Sequence, residues 1–137
     1  MEKEIIYWGI FVDQKQLETY GFPGRLARRI EQPHVTFAFR PKPGTVPNEL
    51  FGKPVRILVR GYGLDDRNEG LEVFLPNDLQ KYYRNEATPH ITVSVAADGK
   101  PVDTGKLWFE DFVDMCIILN GRIGAFTPEG VYFGELR

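Results

Sequence analysis

The tetrapeptide Pro-His-x-Thr occurs twice in this chain, at Pro33–Thr36 and Pro89–Thr92, and the two copies contain both of its histidines. In each copy, apolar residues alternate with the histidine and the threonine, which predicts a strand with one buried face. Residues i and i+2 of a strand point to the same side, so each strand presents an imidazole beside a hydroxyl on its other face. The fold must therefore contain two similar strands, each buried on one side and open on the other.

The predicted elements follow the same order in both halves of the chain: a strand, a helix, a Pro-His-x-Thr strand and a hairpin. In chain order the sequence predicts a strand at Ile5–Val12, a helix from Pro23 to about Glu31, a strand at His34–Arg40 and a hairpin of Val55–Gly63 with Leu71–Leu75, whose second strand lies in the second half. The second half is predicted to contain a helix at Asp78–Arg84 capped by Asn77, a strand at His90–Ala96, a short strand or loop at Leu107–Phe109 and a hairpin of Phe112–Ile123 with Val131–Leu136. Asp65, Asp66 and Asn68 are interpreted as turn formers, because the spacing of a calcium loop is missing.

A weaker internal repeat accompanies the two tetrapeptides. At one constant offset, four residues recur: Ile57, Gly61, Glu69 and Gly70 match Ile117, Gly121, Glu129 and Gly130. We infer an ancient duplication, with pseudo-repeats at about 1–66 and 67–137, inside a single domain of residues 1–137. The predicted fold class is α+β, with two lobes related by a pseudo-twofold axis that places the motif strands symmetrically across a groove.

Size and charge restrict the classes of partner. The 137 residues are 42% hydrophobic and carry a net charge of −2, which favours a compact domain and disfavours a protein that holds long nucleic acid by its backbone. Arg25, Arg28 and Arg29 cluster at helical spacing and are interpreted as a solvated helix face. The expected partner is a short nucleotide end or a small molecule rather than a long duplex, and the protein is expected to be a monomer.

Cysteine use and hydropathy indicate the compartment. Cys116 is the single cysteine, lies in an apolar run and is predicted to be a buried thiol, and the absence of a possible internal disulfide indicates a reducing compartment. No stretch approaches the roughly 18 apolar residues that span a bilayer, and the N-terminus lacks the pattern of a signal peptide. We expect a cytoplasmic protein with no membrane association.

The pairing of imidazole with hydroxyl points to phosphoryl chemistry. A neutral imidazole can remove a proton from water or a ribose hydroxyl, and a second, protonated imidazole can protonate the leaving oxygen. Two hydroxyls can donate hydrogen bonds to the non-bridging oxygens, where charge develops in the transition state. His34 and His90 are therefore the candidate catalytic residues and Thr36 and Thr92 the candidate phosphate-binding residues, in a reaction that needs no cofactor.

Two other interpretations of the histidines are a structural role and a metal site. A lone histidine on a strand is usually a packing or surface residue, although this does not account for two histidines in matching frames. A zinc site needs more ligands, and the chain has no third histidine, no carboxylate at close ligand spacing and a cysteine predicted to lie elsewhere in the core. No metal is therefore expected.

The two motifs, His34-Val-Thr36 and His90-Ile-Thr92, each preceded by proline, resemble the tandem H-x-T/S signature of the 2H phosphoesterase superfamily. This superfamily includes cyclic nucleotide phosphodiesterases, RNA 2′,5′-ligase-like proteins and the cyclic phosphodiesterase domain of tRNA ligases. The resemblance implies a bilobal fold with two mainly antiparallel sheets flanking a central cleft and helices on the outside. It also implies metal-independent cleavage of 2′,3′-cyclic or related phosphodiesters. The chain departs from many members in its shorter length, so its substrate-selecting loops are expected to be trimmed.

Residues outside the motifs supply weaker candidates. The triplets Tyr7–Gly9 and Tyr132–Gly134 are similar: their middle residues, Trp8 and Phe133, are predicted to lie in the core, and each glycine leaves room for a ligand beside its tyrosine. A structural role and a role in base stacking or phosphate contact both stay open for these tyrosines. The candidate substrate contacts are Tyr7, Tyr132 and Ser94, which extends the hydroxyl row beyond the second motif. Arg40, Lys42 and Arg122 are further positive charges for which either phosphate contact or surface solvation is open.

Three functions fit this sequence. The first is a hydrolase that opens the 2′,3′-cyclic phosphate of a nucleotide or an RNA 3′ end. The second is a phosphodiesterase that uses the same chemistry on 2′–5′ linked or cyclic oligonucleotides. The third is a non-catalytic binder of nucleotides or RNA ends in which the motifs form a phosphate clamp.

Overall fold

The computed structural model describes residues 4–112 and 116–134, and the structural statements below refer to those ranges. In chain order the elements are β1 (Tyr7–Val12), α1 (Gln14–Thr19), β2 (Arg28–Arg29), β3 (His34–Phe39), a 3₁₀ helix (Asn48–Leu50), β4 (Pro54–Leu64), β5 (Asn68–Phe74), α2 (Asn77–Gln80), β6 (His90–Val95), a second 3₁₀ helix (Pro101–Lys106), β7 (Glu110–Asp111), β8 (Ile117–Thr127) and β9 (Gly130–Tyr132). The fold is α+β, as predicted. None of the helices in the described ranges is long and apolar enough to cross a membrane.

The strands form one antiparallel sheet rather than the two predicted sheets. Their order is β2-β6-β5-β4-β8-β1-β3, with β7 paired to β4 and β9 paired to β8. The long strands β4 and β8 pair with each other between Pro54–Val59 and Ile117–Arg122, and this ladder joins the two halves of the chain. The order is symmetric about this ladder, because β5 and β6 continue it on one side as β1 and β3 do on the other. The predicted separation into two sheets is therefore not confirmed.

The two motif strands are distant in the sheet order but close in space. Cα atoms of β3 and β6 approach to within 8 Å of each other. The segment between α2 and β6 is also hydrogen-bonded to β3: the backbone N–H of Arg84 donates to the Phe37 carbonyl at 2.8 Å, and the Asn85 amide donates to the Thr36 carbonyl at 3.0 Å. The sheet therefore curls until β3 and β6 are neighbours.

One face of this sheet carries the hydrophobic core. Its largest fully buried side chains come from both halves of the chain and include Trp8, Phe37, Ile57, Leu71, Ile91 and Leu119. In β3 and β6 the core contains the predicted residues that alternate with the motif histidines and threonines: Val35, Phe37, Ile91 and Val93. Alternation therefore directs both imidazoles to the opposite face of the sheet.

The helix predicted over residues 23–31 is wrong. The backbone N–H of Arg25 donates to the carboxylate of Glu69 at 2.9 Å, and that of Leu26 donates to the hydroxyl of Ser94 at 3.1 Å. Both acceptors lie on other elements, and the Leu26 N–H is a donor that a helix beginning at Pro23 would have used internally. A tertiary network thus overrides the local helical pattern.

The arginines of this segment therefore do not form a helix face. Arg28 and Arg29 form β2 at the edge of the sheet, and Arg25 precedes it. The helix near this position is α1, which the sequence analysis missed. It begins after Asp13, whose side chain accepts a hydrogen bond from the Lys15 N–H at 2.9 Å and so caps the helix.

Other predicted elements are present with different ends. Both strands of the first hairpin are confirmed as β4 and β5, and Asp65 forms their turn by accepting hydrogen bonds from the N–H groups of Arg67 and Asn68. The helix predicted at Asp78–Arg84 is only Asn77–Gln80, with Pro76 rather than Asn77 at its cap. The region predicted at Leu107–Phe109 is a loop that follows the unpredicted Pro101–Lys106 helix. The parts of the second hairpin predicted at residues 113–115 and 135–136 lie outside the described residues.

Two predictions of burial in the second half are wrong. Cys116 is exposed, because it precedes the first buried residue of β8. Phe133 lies outside the core, where its ring contacts Phe11 and the guanidinium of Arg122. Because β9 ends at Tyr132, the predicted alternation does not extend to Phe133, and Tyr132 packs against the core instead.

Glu69 is the centre of a buried polar network that holds the segment before β2 on the sheet. The side chain is 1% exposed and accepts hydrogen bonds from the Ser94 hydroxyl at 2.6 Å, the Tyr62 hydroxyl and the Arg25 N–H. Three donors from three different segments thus share one carboxylate. A buried carboxylate is tolerated when its oxygens are hydrogen-bonded in this way.

We predict that Glu69→Ala lowers the free energy of unfolding by about 3 kcal/mol, because it leaves buried donors without an acceptor. Denaturant unfolding at pH 7 measures this change. The matched control is Glu110→Ala at an exposed position of β7, which should cost less than about 0.5 kcal/mol. Equal effects of the two substitutions would contradict a structural role for the Glu69 network.

Candidate active site

His34 and His90 occupy equivalent positions at the starts of β3 and β6. The sequence places a proline directly before each histidine, and both strands begin at the histidine. Cα atoms of the two strands lie within 8 Å of each other, and the charge of His90 contributes to lowering the pKa of His34. The structure therefore brings the two predicted catalytic histidines together.

The same hydrogen bond orients both imidazoles. Nδ1 of His34 lies 2.9 Å from the carbonyl oxygen of Gln32, and Nδ1 of His90 lies 2.8 Å from the carbonyl oxygen of Thr88. A carbonyl can only accept, so Nδ1 carries the proton in each neutral ring and Nε2 has the free lone pair. Each carbonyl belongs to the residue before the proline, which proline restricts to an extended conformation. Both motifs thus present Nε2 as the reactive nitrogen.

Aromatic side chains of β1 surround His34. The ring of Tyr7 stacks on the imidazole at a centroid distance of 4.5 Å, and the ring of Phe11 lies 5.5 Å from it. The Tyr7 hydroxyl is 3.4 Å from Nδ1 of His34, which is long for a hydrogen bond, and that nitrogen already has a closer carbonyl. Burial raises the pKa of this hydroxyl to about 12, so it stays neutral. Tyr7 therefore contacts His34 mainly through its ring.

The space expected beside Tyr7 is occupied by protein. A Cβ atom on Gly9 would lie 1.8 Å from the carbonyl oxygen of Val35, at an irregularity in the pairing of β1 with β3. Gly9 therefore allows the backbone of β3 to approach, and it leaves no room for a ligand there. At the other triplet, Gly134 is exposed and lies beyond the end of β9.

A backbone segment, rather than aromatic rings, covers His90. A Cβ atom on Gly105, in the Pro101–Lys106 helix, would lie 3.0 Å from Cε1 of His90. The helix backbone therefore packs directly on the edge of the imidazole. This contact was not predicted, and its only local signal in the sequence is a glycine near a proline-initiated turn.

The pKa of each histidine is lowered from its usual value near 6.5. For His34 the largest cause is burial, which disfavours the cation; the bond to the Gln32 carbonyl raises the pKa, and the charge of His90 lowers it further. For His90 burial is again the largest cause, and the bond to the Thr88 carbonyl opposes it. Both imidazoles are therefore predominantly neutral at pH 7.

The two motif threonines differ in their surroundings. Thr36 is half-buried, and its hydroxyl has no hydrogen-bond partner in the described part of the chain. Thr92 is 8% exposed, and its hydroxyl lies 2.8 Å from the Thr104 hydroxyl and 3.2 Å from the Pro101 carbonyl oxygen. Ser94, predicted to extend the hydroxyl row, is fully buried and donates to Glu69. Of the three hydroxyls, only that of Thr36 is both uncommitted and partly exposed.

An open groove of about 850 Å³ is lined by two residues that contact His34, although neither motif histidine lines it. Phe11, whose ring approaches the imidazole, and Gln32, whose carbonyl orients it, both line this groove. His34 on β3 pairs with Phe11 on β1, and Phe11 pairs in turn with Arg122 on β8. Residues directly opposite each other in a sheet point to the same side, so these three side chains share one face. The guanidinium of Arg122 rests on the ring of Phe133 at 4.3 Å from its centroid.

The other predicted contacts do not share this position. Tyr132 packs against the core from β9. Arg40 follows β3 with a positive φ of 50°, and its guanidinium pairs with Glu4 and lies over Phe39. Lys42 lies in the loop after Arg40. Arg122 is thus the candidate arginine that the structure places in a groove next to a motif histidine.

Comparison of the chain with models of known protein families found no match, and comparison with curated proteins found none either. Within the described ranges, no group of three or more His, Cys, Asp or Glu side chains is arranged to hold a metal ion. The resemblance of the two motifs to the 2H signature therefore stays a prediction. The site must be interpreted from its own geometry.

We predict that both imidazoles titrate below pH 6.5, because burial disfavours their cations. Proton NMR of the imidazole Cε1–H signals measures this directly, since the chain has only two histidines. In the window between the lowered pKa values and 6.5 the unfolded chain binds more protons than the folded one, so the free energy of unfolding should fall as the pH drops through this window. A pKa of 6.5 or above for either histidine contradicts this description of the site.

The same titration tests the role of Tyr7. We expect Tyr7→Ala to raise the pKa of His34 toward 6.5 and to leave His90 unchanged, because the substitution removes the ring that shields His34 from water. Tyr7→Phe keeps that ring and should leave both titrations unchanged. A shift in Tyr7→Phe as large as that in Tyr7→Ala would show that the hydroxyl, rather than the ring, governs His34.

Proposed function

We propose that the protein is a metal-independent phosphodiesterase that opens the 2′,3′-cyclic phosphate of a nucleotide or an RNA end. The observation that carries this proposal is the matched pair of imidazoles, each with Nδ1 bound to a carbonyl and Nε2 left as the reactive nitrogen. Two imidazoles of the same tautomer on neighbouring strands can act as general acid and general base in one reaction. Bifunctional catalysis of this kind needs no Lewis acid.

The proposed reaction balances with these residues alone. One imidazole Nε2 removes a proton from water as the water oxygen bonds to phosphorus. The bond from phosphorus to one ribose oxygen breaks, and the other imidazole, protonated at Nε2, donates its proton to that oxygen. The product is a nucleoside 2′- or 3′-monophosphate, and the two histidines return to their starting state by proton exchange with solvent. Thr36 is suited to donate a hydrogen bond to a non-bridging oxygen, because its hydroxyl is uncommitted.

The lowered pKa values of the two histidines are consistent with one imidazole acting as the acid and the other as the base. The reaction needs one protonated and one neutral imidazole, and the repulsion between two nearby cations disfavours the doubly protonated state. A bound cyclic phosphate carries a negative charge, which favours protonation of one neighbouring imidazole. The substrate itself thus promotes the singly protonated pair.

The groove beside His34 supports an RNA end rather than a cyclic mononucleotide as the preferred substrate. It extends from Gln32, which precedes β3, past Phe11 on β1 to Arg122 on β8. β8 lies two strands from β3, or about 10 Å at the usual strand spacing. A nucleotide on the 5′ side of the cyclic phosphate can occupy this length and place its phosphate at the guanidinium. The charges of Asp13 and Glu31 balance those of Lys15 and Arg122 along the groove, which favours a short strand over a long polyanion.

The resemblance to the 2H superfamily and the internal duplication belong to the same proposal. The symmetric strand order about the β4–β8 ladder supports a duplicated origin, with one Pro-His-x-Thr strand from each repeat. Two lobes on either side of that ladder would correspond to the bilobal fold that the resemblance implies.

We predict that His34→Ala and His90→Ala each lower kcat/KM by at least about 10²-fold, since each removes one partner of the acid–base pair. The assay measures hydrolysis of cyclic mononucleotides, a cyclic dinucleotide, 2′–5′ oligoadenylate and RNA with a 2′,3′-cyclic phosphate end, with circular dichroism to verify folding. Addition of a chelator should leave the activity unchanged. Activity that persists in either variant, or that a chelator removes, contradicts the mechanism, and binding without turnover across the panel would favour a non-catalytic clamp.

We expect Arg122→Gln to raise KM about tenfold for a dinucleotide that ends in a 2′,3′-cyclic phosphate, because it removes a charge-assisted hydrogen bond to the second phosphate. KM for a cyclic mononucleotide should change less than about twofold. Arg67→Gln, at an exposed position in the β4–β5 turn, is the matched control for loss of one positive charge. Equal changes for both substrates would argue against this use of the groove.

A further inference from the structure

The two halves of the site are built differently, and the difference concerns the threonines. We propose that Thr92 does not bind the phosphate: it anchors the Pro101–Lys106 helix, and this helix positions His90, so that Thr36 is the only motif hydroxyl that contacts the substrate. This inference rests on the proposed function for its catalytic part. Its structural part, the positioning of His90, is independent of that function.

The hydroxyl of Thr92 is held within a buried chain of hydrogen bonds. The Asn68 amide donates to the Thr104 hydroxyl at 3.0 Å and to the Lys100 carbonyl at 2.8 Å, and Asn68 and Thr104 are 2% and 0% exposed. A hydroxyl has one proton. Thr92 donates this proton either to the Thr104 hydroxyl or to the Pro101 carbonyl, and both acceptors belong to the protein. The proton of Thr92 therefore points into the protein.

The anchored helix fits closely between β5 and His90. Gly70 lies opposite Thr92 in the ladder of β5 with β6, and a Cβ atom on Gly70 would lie 2.2 Å from Cγ2 of Thr104. Because Gly70 has no side chain, the methyl group of Thr104 can pack at this position. The next residue, Gly105, brings the helix backbone against Cε1 of His90.

The arrangement restrains His90 from two sides. The Thr88 carbonyl holds Nδ1, and Gly105 lies against Cε1, the carbon between the two ring nitrogens. A displaced helix would free the imidazole to rotate about its Nδ1 hydrogen bond and would admit water to it. Catalysis is sensitive to displacements of this kind, because acid–base groups must lie within hydrogen-bond reach of the reacting atoms.

The first half of the site has no equivalent anchor in the described residues. The aromatic rings of Tyr7 and Phe11 restrain His34, and the Thr36 hydroxyl has no partner there. Thr36 can therefore donate to a phosphate oxygen without breaking a bond within the protein. Thr92 would first have to give up its place in the buried chain, which leaves a buried acceptor unpaired.

Threonine-to-valine substitutions test this division of roles, because valine keeps the shape and removes the hydroxyl. Thr36→Val should weaken the binding of inorganic phosphate and raise KM for a nucleoside 2′,3′-cyclic phosphate, each by about tenfold. Thr92→Val and Thr104→Val should instead lower kcat by about tenfold and change phosphate affinity and KM by less than about threefold. Thr104→Ser, which keeps the hydroxyl, should restore kcat to within about twofold of the wild type.

The titration of His90 provides a readout that does not depend on turnover. Thr92→Val and Thr104→Val should raise the pKa of His90 toward its usual value by exposing the ring, with His34 unchanged. Gly105→Ala covers the case in which a valine variant does not fold: its added methyl group meets His90 and Ala87, so it should shift the His90 Cε1–H signal and lower kcat. If the wild type hydrolyses no cyclic phosphate, the proposed function fails while the His90 titrations still test the helix. Loss of phosphate affinity in Thr92→Val equal to that in Thr36→Val, or an unchanged His90 signal in Thr104→Val and Gly105→Ala, would overturn the proposal.

Discussion

The antiparallel ladder between β4 and β8 is the interaction on which the position of every site residue depends. It pairs one long strand from each half of the chain, and its central residues, Ile57 and Leu119, face each other fully buried. On either side of this ladder the sheet continues through equivalent strands, β5 and β6 on one side and β1 and β3 on the other. Twist then brings these two strands back together. The hydrogen bonds of Arg84 and Asn85 to β3 then join this strand to the segment that precedes His90.

The two histidines make the same local hydrogen bond but have different surroundings. In each motif, the carbonyl of the residue before the proline accepts a hydrogen bond from Nδ1 of the histidine. Because this hydrogen bond involves only residues close in sequence, each motif forms it independently. The surroundings come from distant elements, aromatic rings of β1 for His34 and a 3₁₀ helix for His90. Local sequence therefore determines the tautomer, and tertiary packing determines how rigidly each ring is held.

Sequence analysis succeeded where the signal was local and periodic. Both motif strands, the first hairpin and the burial of Trp8 follow from alternation, which depends only on neighbouring residues. It failed where a distant group decided the structure: Glu69 and Ser94 capture the backbone of Arg25 and Leu26 and exclude a helix there. Likewise, nothing near Thr92 in the sequence indicated that its hydroxyl would be hydrogen-bonded to that of Thr104.

Glycine accounts for the remaining difference between the expected and the observed site. Gly9 was interpreted as leaving space for a ligand, yet that space is filled by the carbonyl oxygen of Val35. At Gly70, for which no such role was predicted, the space is filled by a methyl group of the same chain. Sequence shows where a side chain is missing, but the three-dimensional fold decides what enters the gap. At Gly70 the entering group is Thr104, so the missing side chain serves to bring a helix against a histidine. Close backbone packing of this kind can make a site with short loops as rigid as longer loops would. It therefore allows a compact sheet to hold two imidazoles in place.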